Sequence, residues 1–296
     1  MDPDDPRVEL ARRLNPVRDA FTEVEFLADD IDHPEGVAWW DGSVWCGTEA
    51  GSLLRIDPAN GAITEVAETG GYLLGLAFDG EGRCYVCDSG PGRVLRVEPS
   101  GSWDVLADHV EGRKLVSPNF PAFTSDGTLW VSESGTAGRN DGYLFRIRPG
   151  QAPEIVSEEV PRFPNGLAVA PDESKLYVVE SRLPGVVTFD LAGGELGPRQ
   201  ELVVIPEANP DGLAFDAEGN LYVSCWRPDR VYRIRPGGPP EIYLDDPTGD
   251  YLETVTNVAF GGENLDVMYL AGLAGRAIRW IAADVPGRPL PHPMVG

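Results

Sequence analysis

The sequence predicts an all-β protein: a six-bladed β-propeller closed by pairing an N-terminal strand with the last blade. Three observations carry this prediction. A short motif recurs six times, further strand-like segments follow each copy, and the strand missing from the last unit is found near the amino end. Repeats with a period of roughly 40 to 50 residues are typical of propellers.

The recurring motif aligns without gaps. Its copies read PEGVAWW, LLGLAFD, PNFPAFT, PNGLAVA, PDGLAFD and VTNVAFG. Their second residues are Glu35, Leu74, Asn119, Asn165, Asp211 and Thr256, with spacings of 39, 45, 46, 46 and 45 positions. An alanine follows three residues later in every copy. We interpret each copy as the innermost strand of a blade.

Three more strands follow each of the first five copies, and two follow the sixth. In the second unit they read CYVCD, VLRVE and WDVLAD, separated by turns that contain Gly, Pro or Asp. Alternating β-branched and aromatic residues between such turns favour strands over helices. The chain has 35 Gly and 27 Pro in 296 residues, which fits many short strands. Four strands in each period are typical of a propeller blade.

The two ends of the chain complete the last blade. The sixth unit has only three strands before the segment VPGRPLPHPMVG, whereas TEVEFLADDI at residues 22–31 matches the fourth-strand pattern. Pairing these parts would leave no open sheet edge. We expect one propeller domain at residues 21–284, a cap at residues 1–20 with a helical turn around ELARRL, and a tail at residues 285–296.

Charge and composition exclude several functions. With 24 basic and 48 acidic residues the net charge is −24, which disfavours nucleic acid and anionic membranes as partners. No apolar stretch is long enough for a membrane span or a signal peptide, so a cytoplasmic location is expected. Cys46, Cys84, Cys87 and Cys225 lie in strand-like runs and are expected to be buried and unpaired. The oligomeric state is left open.

The six aligned second residues point to a metal site. Four of them carry a side-chain oxygen, namely Glu35, Asn119, Asn165 and Asp211, and all should lie at the top of the channel, where the connecting loops are irregular. Two carboxylates and two amide oxygens suit a hard cation. Ca²⁺ is favoured over other divalent ions. The alternative is that each oxygen satisfies backbone groups, but two carboxylates in a narrow channel would then repel each other.

These motifs resemble the senescence marker protein/gluconolactonase family, six-bladed propellers that include regucalcin and bacterial lactonases. The resemblance runs from about His33 to Trp280 and is strongest in HPEGVAWW, SPNFPAF, FPNGLAVAPDESKLYVVES and NPDGLAFDAEGNLYVS. It implies a catalytic divalent metal, often calcium, on Glu35, Asn165 and Asp211. An asparagine of the phosphatase-like relatives matches Asn119.

The resemblance also implies an activity, that of a metal-dependent hydrolase that opens a small-molecule lactone or ester. Asp211 is the expected catalytic residue, either activating water or attacking as a nucleophile. Substrate contacts are expected from His33, Leu74, Phe120, Glu133, Trp226 and Thr256.

Two positions depart from the sugar-lactonase pattern. Ser117 stands where those relatives carry an arginine, and Phe120 stands where a carboxylate can follow the asparagine. The departures argue against a free aldonolactone and for a more apolar pocket. Two alternatives remain: a metal-free propeller of the strictosidine-synthase type, and a calcium-binding propeller without catalytic activity.

Overall fold

Six antiparallel sheets surround a central channel in the computed structural model, which describes residues 17–295. This confirms the predicted six-bladed β-propeller. The innermost strands are β3 (Pro34–Trp40), β7 (Leu73–Phe78), β13 (Pro118–Phe123), β17 (Pro164–Val169), β22 (Pro210–Phe215) and β26 (Val255–Gly261). The second strands are β4 (Ser43–Thr48), β8 (Cys84–Asp88), β14 (Leu129–Glu133), β18 (Lys175–Glu180), β23 (Leu221–Trp226) and β27 (Val267–Gly272).

The outer half of each blade follows the same order. The third strands are β5 (Ser52–Ile56), β9 (Arg93–Val97), β15 (Tyr143–Ile147), β19 (Gly185–Ala192), β24 (Asp229–Ile234) and β28 (Ile278–Ala282). The fourth strands are β6 (Ile63–Glu68), β10 (Trp103–Ala107), β16 (Glu154–Ser157), β21 (Gln200–Val204), β25 (Pro240–Asp245) and β2 (Glu25–Ala28). Short strands β11 (His109–Val110) and β12 (Arg113–Lys114) pair together, and β20 (Glu195–Leu196) pairs with the end of β19.

The amino end closes the ring as predicted. Strand β2 pairs antiparallel with β28, with Glu25 opposite Trp280. Before it, β1 (Arg18–Asp19) adds a fifth, parallel strand to blade five, and α1 (Ala20–Glu23) makes a single turn. The helical turn predicted around ELARRL lies outside the described residues. Within residues 17–295 no helix is long and apolar enough to cross a membrane.

The core is divided into six apolar clusters, each packed between two neighbouring blades. Leu53 and Val86 belong to the cluster between blades one and two, while Ile278 and Val37 belong to the one between blades six and one. Burial of a side chain of this size contributes about 1.5–3 kcal/mol. All four cysteines are buried and free, as predicted.

The carboxyl-terminal tail closes the bottom of the channel. The carbonyl of Pro286 accepts a hydrogen bond from the backbone of Ala217 in blade five at 2.8 Å, and that of Pro293 accepts one from Gly80 in blade two at 2.9 Å. His292 lies between these points and lines a channel cavity of about 110 Å³. The aligned alanines line the same cavity: Ala38, Ala77, Ala122, Ala168, Ala214 and Ala259. The tail therefore covers part of the bottom end of the channel.

Removing the tail is expected to expose this apolar cavity. Deletion of residues 286–296 should lower the free energy of unfolding by about 2 kcal/mol or more, because buried contacts are lost, and should increase binding of a hydrophobic dye. Thermal melts and dye fluorescence measure the two effects. Met294→Ala is the control, since that side chain is 70% exposed. An unchanged melt and unchanged dye binding would contradict the role given to the tail.

Candidate functional site

Each innermost strand carries a β-bulge at the aligned second residue. In β3 the pairing with β4 stops at Pro34 and resumes at Gly36, which leaves Glu35 unpaired. In β22 it jumps from Pro210 to Leu213, and the other four strands are interrupted at the same place. A bulge changes the direction of a side chain and is often found beside active sites. One residue in each blade is thus turned out of the normal alternation.

Glycines directly after three of the oxygen-bearing residues let neighbouring blades approach closely. A Cβ atom on Gly36 would lie 2.1 Å from the backbone oxygen of Leu74, and one on Gly166 would lie 2.3 Å from that of Asp211. One on Gly212 would lie 2.8 Å from the backbone oxygen of Thr256 in the next blade. Only a residue without a side chain fits between these backbones. The glycines therefore keep the ring of oxygen-bearing residues narrow.

Three of the four predicted ligands, Glu35, Asn165 and Asp211, lie near one another at the start of the innermost strands. Asp211 lies close to Asn165, and it is near enough to Glu35 for the two charges to repel each other. Asn119 takes the same bulged position in blade three. All four side chains are buried, and Oε2 of Glu35 has no hydrogen-bond partner among the described residues. A buried carboxylate oxygen without a partner is costly, so this donor set fits a hard cation.

The electrostatics of the two carboxylates support the same conclusion. Burial raises the pKa of Glu35 from 4.5 to about 7, opposed by the nearby Thr256 hydroxyl and reinforced by the charge of Glu49. Burial and the charge of Glu35 raise the pKa of Asp211 well above its ordinary value. Such pairs mark candidate functional sites. Within residues 17–295 no three His, Cys, Asp or Glu side chains form a cluster, so the two asparagines would complete the ligand set.

Two predicted substrate contacts lie beside Glu35. His33 is at the rim, with Nδ1 at 3.0 Å from Oδ1 of Asp32 and 3.5 Å from Oε2 of Glu49. Thr256 is buried, and its hydroxyl donates to the backbone oxygen of Glu35 at 3.0 Å. Thr256 thus holds Glu35 in place, whereas His33 is open to solvent.

The three apolar candidates lie at different levels. Leu74 is buried at the bulged position of blade two, and Phe120 lines the channel cavity. Trp226 is half-buried at the end of β23, with the guanidinium of Arg227 at 5.7 Å from its ring centroid. The structure does not gather them into one pocket, and their contact with a substrate stays a prediction.

Glu133 is oriented away from the channel top by its hydrogen bonds. Its carboxylate is fully buried and accepts three backbone N–H bonds, the shortest from Ser117 at 2.7 Å. Asp88 and Glu180 end their strands in the same way, and each accepts a backbone N–H from the loop before its own inner strand. Both oxygens of Glu133 are occupied, so the geometry favours a positioning role over the predicted substrate contact.

Sequence reasoning missed two loop residues of the site. Burial and the charges of Glu35, Glu49 and Asp211 raise the pKa of Tyr72, so its hydroxyl stays protonated and can donate a hydrogen bond. Glu49 also lies near Glu35, and its carboxylate contacts the rim histidine, His33. Both lie outside the aligned motif, and no repeated pattern marks them.

A recurring acid-serine pair in the sequence could have revealed the serines that contact two of the predicted ligands. It appears as Asp88-Ser89, Glu133-Ser134 and Glu180-Ser181 at the ends of three second strands. The acids hold loops, as described above. The serines of the last two pairs contact the side-chain amides of Asn119 and Asn165.

The sequence matches known proteins along most of its length. The description SMP-30/gluconolactonase/LRE-like region belongs to a family model that matches residues 33–273. A gluconolactonase of Zymomonas mobilis is 26% identical over 288 residues, covering 84% of this chain and 76% of the relative. A pentonolactonase of Haloferax volcanii is 30% identical over 254 residues, covering 81% of each.

A solved structure shows the same fold. The gluconolactonase of Xanthomonas campestris superposes with a TM-score of 0.77 at 22% sequence identity, and the match covers 89% of both chains. At this identity the likeness supports the propeller architecture alone.

Proposed function

The chain belongs to the SMP-30/gluconolactonase/LRE-like family, and on that premise we propose that it is a cation-dependent hydrolase that opens a small-molecule lactone. The proposal of a bound cation rests on Oε2 of Glu35, which is buried beside Asp211 and has no hydrogen-bond partner among the described residues. The family relatives named as lactonases support the lactone. The net charge of −24 argues against nucleic acid and anionic membranes as partners, and a cytoplasmic location stays a prediction.

The proposed cofactor is Ca²⁺ or another hard divalent cation, held by Glu35, Asn119, Asn165 and Asp211. Four protein oxygens with two charges suit calcium better than magnesium, which keeps more of its water. When bound, the cation supplies Lewis-acid polarisation of the substrate carbonyl.

Asp211 is the proposed catalytic residue. Its raised pKa suits a carboxylate that takes a proton from the attacking water. The protonated hydroxyl of Tyr72 lies close to the same carboxylates and would donate a hydrogen bond to a substrate oxygen. A single turnover in ¹⁸O-water tests for direct attack by Asp211. That attack would open the lactone and leave an anhydride between Asp211 and the substrate acyl group, and water attack on the carboxyl carbon of Asp211 would then release a first product with an unlabelled oxygen.

We further propose that the substrate is less polar than a free aldonolactone. Ser117, which replaces the arginine, shares a hydrogen bond with Ser89 across 2.7 Å and offers no guanidinium to sugar hydroxyls. Blade two also places an apolar residue, Leu74, at the bulged position where other blades carry oxygen.

The test is hydrolysis of a lactone panel by one preparation, before chelation, after chelation and after Ca²⁺ is returned. The panel includes glucono-δ-lactone, γ-valerolactone and dihydrocoumarin. We expect activity that chelation removes and Ca²⁺ restores, with the apolar lactones preferred. A protein that binds Ca²⁺ but hydrolyses nothing would favour the non-catalytic propeller. Activity that chelation leaves unchanged would overturn the proposal that hydrolysis needs a cation.

The raised carboxylate pKa values also predict a pH-dependent stabilisation. The folded protein binds protons at Glu35 more tightly than the unfolded chain, so this contribution to stability is complete below about pH 4.5 and is lost as the pH rises through about 7. The shift in the pKa from 4.5 to about 7 corresponds to roughly 3 kcal/mol. At about pH 8 the proton on Glu35 is lost, and bound Ca²⁺ would offset the negative charge that remains. Ca²⁺ should therefore raise the melting temperature more at about pH 8 than at about pH 5.5.

Melts at both pH values with Ca²⁺ or with chelator measure this effect. In Glu35→Gln the difference between the two pH values should shrink, because one of the two titrating carboxylates is gone. An equal shift at both pH values in the unmodified protein would count against the buried pair.

A further inference from the structure

The hydroxyl of Ser134 joins two blades and touches a predicted ligand. It donates a hydrogen bond to the backbone oxygen of Pro164 in blade four, at 2.6 Å. It also accepts one from Nδ2 of Asn119 in its own blade, at 3.1 Å. A serine hydroxyl has one hydrogen, and here Pro164 takes it. Towards Asn119 the hydroxyl can therefore only accept, so the amide must present its nitrogen and turn its oxygen away from Ser134.

Ser181 repeats this arrangement one blade further on. Its hydroxyl donates to the backbone oxygen of Pro210 at 2.8 Å and accepts from Nδ2 of Asn165 at 3.3 Å. In both cases the accepting carbonyl belongs to the residue directly before the next ligand, Asn165 after Pro164 and Asp211 after Pro210. Each serine thus orients one ligand and holds the backbone of the next.

An asparagine ligand needs such a device, whereas a carboxylate does not. The amide has an oxygen on one side and two N–H donors on the other, so a half-turn of its end replaces a cation ligand with a repelling dipole. A carboxylate looks the same after that rotation. Groups that hydrogen-bond to metal ligands commonly fix their orientation.

We infer that Ser134 and Ser181 are positioning residues that hold the amide oxygens of Asn119 and Asn165 towards the cation. The inference rests on the proposed function, because it needs a cation in the ring. The inference adds two residues to the site that are not ligands themselves. Each directly follows an acid, Glu133 or Glu180, that accepts hydrogen bonds from a loop.

Ser132 provides a matched control for a merely structural link. It lies on β14 beside Ser134, donates to the backbone oxygen of Asn165 at 2.6 Å and accepts from the backbone N–H of Phe120 at 3.1 Å. It therefore joins the same two blades but touches no ligand side chain. If the serines acted only by joining blades, removal of Ser132 and of Ser134 would have similar effects on cation affinity.

The experiment is calorimetric titration of the full chain with Ca²⁺, together with thermal melts. Ser134→Ala and Ser181→Ala should each weaken Ca²⁺ binding about 10- to 100-fold. Ser132→Ala should lower the melting temperature comparably while changing the affinity less than about threefold. Equal loss of affinity in Ser132→Ala and Ser134→Ala would overturn the inference, as would no loss in Ser134→Ala and Ser181→Ala.

A second comparison isolates the amide. In an Asn119→Asp background either oxygen can face the cation, so adding Ser134→Ala should change the affinity less than about threefold. The same 10- to 100-fold loss there would show that the serine does not act through amide orientation. If the unmodified protein binds no Ca²⁺, this inference and the proposed cofactor both fall. If Ca²⁺ binds as described but no lactone is opened, only the proposed hydrolysis falls.

Discussion

Asp211→Asn is expected to remove lactone hydrolysis, with a fall in kcat of about 10²–10⁴-fold or more, and to weaken Ca²⁺ binding while the fold is kept. The substitution removes one of the two charges in the ring and the proposed proton acceptor, but it keeps the shape of the side chain. Steady-state kinetics and calorimetric titration give the two readouts, and circular dichroism reports the fold.

Glu35→Gln separates the loss of a charge in the ring from the loss of the proposed proton acceptor. It removes the other charge but leaves Asp211 in place, so Ca²⁺ affinity should fall and saturating Ca²⁺ should restore part of the activity. Glu263→Gln is the matched control, because that exposed carboxylate lies in a turn at the bottom of the propeller. Full activity in Asp211→Asn would refute the assignment of the catalytic residue.

Gly166→Ala is expected to have a large effect on stability, although it adds only a methyl group. The new Cβ would lie 2.3 Å from the backbone oxygen of Asp211, and backbone atoms cannot move aside without separating two blades. Overpacking of this kind costs about 1–3 kcal/mol, and the displaced strand carries a ligand. Both the free energy of unfolding and the Ca²⁺ affinity should therefore fall.

Gly238→Ala is the control for this substitution. Its Cβ would meet its nearest neighbour at 3.4 Å, an ordinary contact, so we expect a change within about 0.5 kcal/mol. Urea denaturation compares the two variants. Equal stabilities would show that the blades can separate freely and that the narrow ring does not depend on glycine.

The repeat was sufficient to predict the blades and the equivalent positions of the candidate ligands within them. Residues in the same place of each copy must lie at the same height in a propeller, so Glu35 and Asp211 could be placed together although 176 positions separate them. Closure was predictable because residues 22–31 match a strand type that the last unit lacks. Both inferences needed only periodicity.

Other features depend on pairing and loop conformation, which no periodicity encodes. The bulge that turns Glu35 is a feature of the pairing between β3 and β4, which the sequence of β3 alone does not show. Glu133 reads as a strand end near the top, yet the path of the preceding loop brings backbone N–H groups onto its carboxylate. The tail has no strand pattern, and its docking depends on space at Gly287, where a Cβ would lie 2.0 Å from Phe260.

A crystal structure of the protein grown with Ca²⁺ tests the central claim most directly. We expect one cation at the top of the channel, with oxygens of Glu35, Asn119, Asn165 and Asp211 about 2.3–2.6 Å away. Density for a cation elsewhere, with this ring empty at saturating Ca²⁺, would contradict the account.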